Sequence, residues 1–327
     1  MSAPAIGNLV ELDSVTKDFR AKDGKMLRAV DGVSLTVRPC ETLGIVGESG
    51  SGKSTLGRLI LGLHEPTAGH VHFEGQDLST LPAGSLRQLR RHMQPIFQDP
   101  YASLDPRFTV GDSIAEPLVI HRIGDRASRK RKVAELLDIV GLESDAAGRY
   151  PHEFSGGQRQ RIGIARAIAL EPKLIVADEP VSALDVSIQS QILNLLIELK
   201  ARLKLSYVFI SHDLAVVEHI SDRVAVMYLG RVVEMAETAA LYRRAAHPYT
   251  EALISAVPEP NVEGRRERII LAGDAPNPEE PPPGCPFHPR CPKAFDRCPR
   301  EVPARIEIGT PASPHGVNCL LYGSAPR

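Results

Sequence analysis

The chain has 327 residues, and 39 Lys and Arg against 40 Asp and Glu give a formal net charge of −1. Hydrophobic residues make up 43% and charged residues 24%, which excludes collagen-like, coiled-coil and disordered chains. A near-neutral charge argues against a general nucleic-acid-binding protein, so no nucleic acid is expected as a partner. No apolar run approaches the roughly 18–20 residues that cross a bilayer, and we expect the chain to be soluble and cytoplasmic by itself.

The predicted elements change in type along the chain. Short strands broken by Gly and Pro are predicted from residue 10 to about residue 73, and residues 99–171 have a helical pattern. Buried strands at 174–177 and 207–210 then flank an amphipathic helix at 186–203. Strand, helix and strand in this order predict an α/β fold with a parallel sheet and right-handed crossovers. The composition shifts after residue 236, and residues 274–284 are rich in proline, as in a linker or an extended wrap.

A glycine-rich loop follows the apolar strand predicted at 43–46 and precedes a helix predicted at 55–63. Its sequence, Gly47-Glu-Ser-Gly-Ser-Gly-Lys-Ser54, fits the phosphate-binding pattern G-x-x-x-x-G-K-[ST]. The glycines let backbone N–H groups surround phosphates, Lys53 reaches the β and γ oxygens, and Ser54 is a candidate Mg²⁺ ligand. The sequence therefore predicts a nucleotide site made of Gly47, Glu48, Ser49, Gly50, Ser51, Gly52, Lys53, Ser54 and Thr55.

Two carboxylates end the apolar strand at 174–177. Asp178 is expected near the phosphate-bound Mg²⁺, through water. Glu179 is placed to orient an attacking water or accept its proton. Alone, an Asp-Glu pair after a strand would indicate a solvated loop, but together with the phosphate loop it predicts nucleotide hydrolysis.

Further motifs resemble those of ATP-binding cassette proteins. The run Phe154-Ser-Gly-Gly-Gln-Arg-Gln-Arg161 resembles the family signature, and Ser182-Ala-Leu-Asp185 resembles the D-loop. Gln98 resembles the glutamine of the Q-loop, and His212 the switch histidine. Phe19 lies at about the distance before the phosphate loop at which that family places an aromatic on adenine. These motifs, in this order, cover residues 8–235.

The resemblance implies a P-loop NTPase (RecA-like) core with an N-terminal antiparallel β subdomain and a helical subdomain inserted at about 99–170. It also implies that two chains sandwich two ATP molecules, so that one chain alone hydrolyses ATP poorly. Ser155, Gly156, Gly157, Gln158 and Asp185 would then face nucleotide held by the other subunit. Gln98 would help to bind Mg²⁺ with Ser54 and Asp178, and the implied catalytic residues are Glu179, His212 and Gln98.

The tail resembles the C-terminal region of oligopeptide and dipeptide importer ATPases, in particular the second ATPase subunit of dipeptide importers. The resemblance rests on the runs at 247–253 and 281–285 and gives a C-terminal extension at 236–327. It implies an energy-coupling subunit at the cytoplasmic face of the inner membrane, attached peripherally. The implied partners are two permease subunits, a second ATPase or another copy of this chain, and a solute-binding protein. The alternatives are the same role in a nickel or sugar importer, a soluble cassette ATPase, or a regulatory module that does not turn over ATP.

Four of the five cysteines fall in the last 43 residues and suggest a metal site. Their spacing lacks the tight C-x₂-C pairs of zinc ribbons, and it is not the spacing of ferredoxins. A [4Fe–4S] cluster, which the importer resemblance implies, zinc, and unligated thiols remain the three alternatives for Cys285, Cys291, Cys298 and Cys319. Cys40 stands alone and is expected to be a small buried residue.

Overall fold

A computed structural model describes residues 7–20, 24–99, 103–257, 268–274, 276–311 and 313–323. These residues form two sheets, one of four antiparallel strands in the order β2-β1-β4-β5, and one of eight in the order β11-β12-β10-β9-β3-β8-β7-β6. The strands are β1 Val10–Arg20, β2 Met26–Val37, β3 Thr42–Val46, β4 Ala68–Phe73, β5 Gln76–Asp77, β6 Met93–Ile96, β7 Leu174–Asp178, β8 Ser206–Ile210, β9 Arg223–Tyr228, β10 Arg231–Glu237, β11 Ile306–Glu307 and β12 His315–Val317.

Helices pack against the larger sheet, and the helices in the middle of the sequence also pack against one another. They are α1 Lys53–Ile60, α2 Ala83–Leu89, α3 Val110–Ile120, α4 Arg126–Ile139, α5 Gly156–Ile168, α6 Val186–Leu203, α7 Leu214–Ile220, α8 Thr238–Arg243 and α9 Pro248–Ser255. Helix α6 has the predicted bounds, because its apolar residues recur at helical spacing over five turns.

The centre of the larger sheet is parallel. Strand β3 pairs in parallel with β8 and β9, β7 with β8, and β6 with β7. Helix α1 and the smaller sheet cover one face of these strands and helices cover the other, so β3 and β8 consist entirely of buried residues. The carboxyl ends of β3, β6, β7 and β8 therefore lie at one edge of the sheet, where open α/β sheets bind ligands.

The predicted antiparallel subdomain and helical insertion are both present. Strand β1 pairs antiparallel with β2 and with β4, which makes the smaller sheet. Helices α3, α4 and α5 pack together around buried Ile114, Leu137 and Ile162. The predicted α/β fold is confirmed together with these two additions to its core.

The last part of the chain adds to the same sheet. Strand β12 pairs antiparallel with β10, and β11 pairs with β12. The carboxylate of Glu234, on β10, is buried and accepts hydrogen bonds from the backbone N–H of Ala246 and His247 at 2.7 and 2.9 Å, and it contacts His315 Nε2 at 2.6 Å. Residues 258–267, 275, 312 and 324–327 of the predicted extension lie outside the described residues.

Over the residues that the structure describes, every helix is too short or too polar to span a bilayer.

Cys40 is exposed, so the prediction of a buried residue is wrong. It lies in the turn before β3 with a positive φ of 59°, where its backbone N–H donates to Ser206 Oγ.

Candidate nucleotide site

The glycine-rich loop connects β3 to α1, and two of its glycines lie against the backbone of other strands. Gly47 has a φ of +154°, and a Cβ there would lie 2.2 Å from the carbonyl oxygen of Met227. Gly52 has a φ of +98°, and a Cβ would lie 2.1 Å from the carbonyl oxygen of Ala29. Only glycine allows backbone to approach this closely, so these two positions fix the shape of the loop.

The Lys53 side chain folds back into the loop. Its Nζ donates hydrogen bonds to the carbonyl oxygens of Gly47 and Glu48, both at 2.8 Å. Burial lowers the pKa of Lys53, while the negative charges of Glu179, Asp178 and Glu48 act in the opposite direction. The ammonium is therefore held at the centre of the loop, where it can bind an anion.

Oxygen ligands for a hard cation meet beside the loop. Ser54 Oγ, in the first turn of α1, donates to Asp178 Oδ1 at 2.9 Å. Burial raises the pKa of Asp178, against the hydrogen bond from Ser54. A hydroxyl and one carboxylate match the protein ligands of Mg²⁺, which takes its remaining ligands from phosphate and water.

Glu179 receives contacts from two segments that are distant in sequence. Gln98 Nε2 donates to Glu179 Oε2 at 2.9 Å, and His212 Nδ1 lies 3.2 Å from Oε1. The backbone of Glu179 is in the left-handed region, with φ 48°, and its N–H donates to Ile210 O at 2.9 Å. A non-glycine residue held in that region is strained, as functional residues often are. The three residues with predicted catalytic roles are thus brought together.

The signature residues are positioned by a helix start. Ser155 is the N-cap of α5, and its Oγ accepts from the N–H of Gln158 at 3.4 Å while its own N–H donates to Gln158 Oε1 at 3.0 Å. Cβ atoms added at Gly156 and Gly157 would meet Leu184 and Ile188 at 3.3 and 2.5 Å. The signature therefore packs against the segment that carries Asp185, whose backbone begins α6.

Other predicted residues lie around the loop at varying distance. Ser49 and Gly50 are exposed, Ser51 is buried, and Thr55 is half-buried in α1. Phe19 lies on β1, where its ring packs edge-on against His64 with centroids 5.5 Å apart and Lys17 Nζ lies 5.2 Å from its centroid. Its strand pairs with β2, the strand of Ala29 that touches Gly52.

Family models match both parts of the chain. Residues 30–182 match the family described as ABC transporter, and residues 233–298 match the one described as oligopeptide/dipeptide transporter, C-terminal region. The oligopeptide transport ATP-binding protein AppF of Bacillus subtilis is 52% identical over 98% of this chain and 100% of its own length. A putative peptide import ATP-binding protein of Brucella ovis is 54% identical over 92% of this chain and 94% of its own.

This chain belongs to the ABC transporter ATP-binding proteins of the oligopeptide/dipeptide type. A solved dimer of the ATP-binding cassette MJ0796 with ADP and Pi has a TM-score of 0.64 and 31% identity, over 70% of this chain and 98% of that one. The fold is that of P-loop NTPases, and the protein is an ATPase.

Two contacts in this ABC ATPase were missed by sequence reasoning. The guanidinium of Arg290 binds both carboxylate oxygens of Glu48, and the N–H of Glu48 donates to Tyr249 Oη at 2.9 Å. Both partners come from the C-terminal extension. Arg290 is 242 residues from Glu48, and no local pattern links the two positions.

The four C-terminal cysteines of this ABC ATPase line one cavity, with His247 and Phe287 beside them. Burial raises the pKa of Cys285, of Cys291, and of Cys319 to about 11, which favours neutral thiols. The cavity has a volume of about 10 Å³, which is room for about one water molecule. Among the described residues no group of three or more His, Cys, Asp or Glu is arranged to hold a metal ion. The [4Fe–4S] prediction is therefore not supported.

Proposed function

We propose that this ATPase drives the import of di- or oligopeptides as the energy-coupling subunit of a transporter. Its similarity over nearly the full chain to peptide import ATP-binding proteins supports the substrate class. The observation that carries the catalytic assignment is the contact of Gln98 and His212 with Glu179, beside Asp178 and Lys53. Residues 8–235 would form the ATPase domain and 236–327 the extension.

The residues of the site would divide the binding and the hydrolysis of ATP among them. The loop at 47–55 and Lys53 would bind the phosphates, and Phe19 would stack on adenine. Ser54, Asp178 and Gln98 would hold Mg²⁺, which neutralises phosphate charge when bound. Glu179 would accept the proton of the attacking water, with Gln98 and His212 fixing the direction of its carboxylate.

The signature would act on the other subunit's nucleotide. Ser155 and the first N–H groups of α5 present an anion site at the start of a thirteen-residue helix. In this chain they pack against Leu184 and Ile188. The partner cassette would be a second ATPase or another copy of this chain. The dimer of MJ0796 with ADP and Pi supports this arrangement.

A groove beside the site would receive the permease. It has a volume of about 170 Å³ and separates the end of β6 from helices α3 and α5. Phe97 and Ile120, 46% and 47% exposed, give it an apolar rim, and Arg166 and Glu116 form an ion pair at 3.2 Å within it. We propose an amphipathic cytoplasmic helix of a permease subunit as its occupant, because Phe97 directly precedes Gln98 and so links the groove to Glu179.

The subunit would be peripheral at the cytoplasmic face of the inner membrane, with two permeases and a solute-binding protein completing the importer. The test is reconstitution of the complex in vesicles with internal ATP. Uptake of labelled di- and tripeptides that depends on Glu179 would support the proposal. Uptake of nickel or of sugars instead of peptides would assign the chain to the alternative importers. Sedimentation with membranes only when permeases are co-expressed would separate all of these from a soluble cassette ATPase.

The cysteine cavity carries a separate proposal about a metal centre. Three cysteines within residues 285–298 and a fourth at 319 line one cavity, which supports it. Anaerobic purification tests it by metal analysis. About four irons per chain with broad absorption near 400 nm would support a [4Fe–4S] cluster. Stoichiometric zinc would identify a zinc site instead of a cluster. Metal-free protein with full activity would show that the thiols bind no metal.

A further inference from the structure

The second residue of the phosphate loop is bound by the C-terminal extension at two points. Arg290 donates from Nη1 to Glu48 Oε2 at 2.8 Å and from Nη2 to Glu48 Oε1 at 3.1 Å, a two-pronged ion pair. The Glu48 N–H donates to Tyr249 Oη at 2.9 Å. The Arg290 side chain is 10% exposed and that of Glu48 is 29% exposed, so this pair is largely shielded from water.

In the extension, a cluster of aromatic rings supports the residues that contact Glu48. Tyr249 lies on α9, and its ring centroid is 4.7 Å from that of Tyr228 and 5.4 Å from that of Phe287. Arg290 ends the short helix His288–Arg290, which follows Phe287 directly. The aromatic cluster therefore fixes where the guanidinium and the hydroxyl meet the loop.

Charge makes this contact relevant to nucleotide binding. Glu48 is an anion in a loop that binds a polyanion, and its own carbonyl oxygen accepts from Lys53 Nζ at 2.8 Å. An unpaired carboxylate here would repel phosphate and compete for the ammonium of Lys53. Bonded to Arg290 it is neutralised and fixed. The hydrogen bond with Glu48 raises the pKa of Arg290, so the guanidinium stays charged at any physiological pH.

We propose that Arg290 is a positioning residue that acts through Glu48 on the phosphate loop, so that the C-terminal extension sets the affinity of the site for ATP. The inference rests on the ATPase activity and not on the transported solute. A failure of peptide import would leave it standing, because its test measures ATP affinity.

The experiment uses the full-length chain, ATP affinity measured by equilibrium binding, and steady-state kinetics with MgATP. Arg290→Gln removes the charge and keeps most of the side chain's length. It should raise Kd and KM for ATP about tenfold, as expected for the loss of a charge-assisted pair, with kcat changed less than about twofold. Arg290→Lys restores the charge without the two-pronged geometry and should leave about a threefold loss. Arg290→Gln with Glu48→Gln removes the unpaired anion and should recover most of the affinity.

Arg297→Gln is the matched control, since Arg297 pairs with Glu301 at 2.7 Å within the same extension. It should leave Kd, KM and the melting temperature as in the wild type. Wild-type Kd in folded Arg290→Gln, or no recovery in the double variant, would overturn the proposal. Should Arg290→Gln fail to fold, Arg290→Lys decides the matter: a threefold higher Kd at an unchanged melting temperature supports the role, and a wild-type Kd overturns it.

Discussion

The side-chain amide of Gln98 donates to the carboxylate of Glu179 at 2.9 Å, across 81 residues of chain. Gln98 comes two residues after β6 and directly after Phe97 of the groove lining, while Glu179 directly follows Asp178 at the end of β7. Strands β6 and β7 pair in parallel, so their carboxyl ends are adjacent. The amide of Gln98 therefore reaches the carboxylate of Glu179 from the neighbouring strand end. If a permease docks in the groove as we propose, this contact would link docking to hydrolysis.

Replacing Glu179 by Gln should reduce ATP turnover by about 10²–10⁴-fold, because the amide cannot accept the proton of the attacking water. ATP binding should remain, since the loop at 47–55 and the Ser54–Asp178 pair are unchanged. Single-turnover hydrolysis and equilibrium ATP binding on the same preparation give both values. A stable ATP-bound dimer in gel filtration is the third expected result. Wild-type turnover in this variant would remove Glu179 from the mechanism.

Replacing Lys53 by Ala should weaken ATP binding itself, because Nζ is the buried cation of the loop and is held by the Gly47 and Glu48 carbonyl oxygens. We expect a loss of about tenfold or more in affinity, as for a charge-assisted contact. Equilibrium binding of ATP measures it. Lys132→Ala is the control, because Lys132 forms ion pairs with Glu135 and Glu171 outside the loop. Unchanged affinity in Lys53→Ala would contradict the assignment of the loop.

The strands and the phosphate loop, which depend on residues adjacent in sequence, were predicted from the sequence. The strands predicted at 43–46 and 174–177 are apolar runs of the length that a covered parallel sheet requires, and each differs from β3 or β7 by one residue at one end. The glycines of the phosphate loop, Gly47 and Gly52, mark positions where backbone approaches backbone. Structural features that depend on a few adjacent residues, such as a buried strand or a glycine turn, can be predicted from the sequence.

Contacts between distant segments were not predictable in the same way. The Arg290–Glu48 pair and the Glu234–His315 contact depend on how the extension folds back onto the cassette, and each joins residues without a shared pattern. The cysteines show the same limit. Their residue type predicted that they would converge, which they do around one cavity, but the space between their sulfurs is set by packing.

Replacing Ser155 by Arg should abolish hydrolysis while leaving ATP binding by the same chain intact. The residue caps α5 and is expected to meet nucleotide bound by the other subunit, so a bulky cation there would damage the opposite site. Steady-state ATPase assays and ATP binding distinguish the two effects. If the active form is a homodimer, mixing Ser155→Arg with Lys53→Ala chains should recover activity, since one composite site is then intact. Full activity in a monomeric preparation would contradict the shared site.

Replacing Glu234 by Ala should destabilise the attachment of the extension. The change leaves the N–H groups of Ala246 and His247 and the His315 ring without their buried acceptor. Leaving a buried hydrogen-bond donor without its acceptor costs about 1–3 kcal/mol. Urea denaturation measures the free energy of unfolding, and Glu301→Ala, on an exposed pair, is the control. A loss below about 1 kcal/mol would show that Glu234 does not anchor the extension.

Replacing Ile120 by Glu should weaken the docking of the ATPase on its proposed permease and so reduce transport. Ile120 lies on the apolar rim of the groove at the end of α3, and a buried carboxylate there would oppose docking of an apolar helix surface. The measurements are retention of the ATPase on membranes with co-expressed permeases and ATP-driven solute uptake, both of which should fall. Val119→Glu is matched in helix, charge and exposure, since Val119 is 52% exposed and lies outside the groove lining. Equal losses in the two variants would mean that added charge on α3, and not the groove, disturbs the complex. Wild-type uptake by Ile120→Glu would place the permease contact elsewhere on the surface.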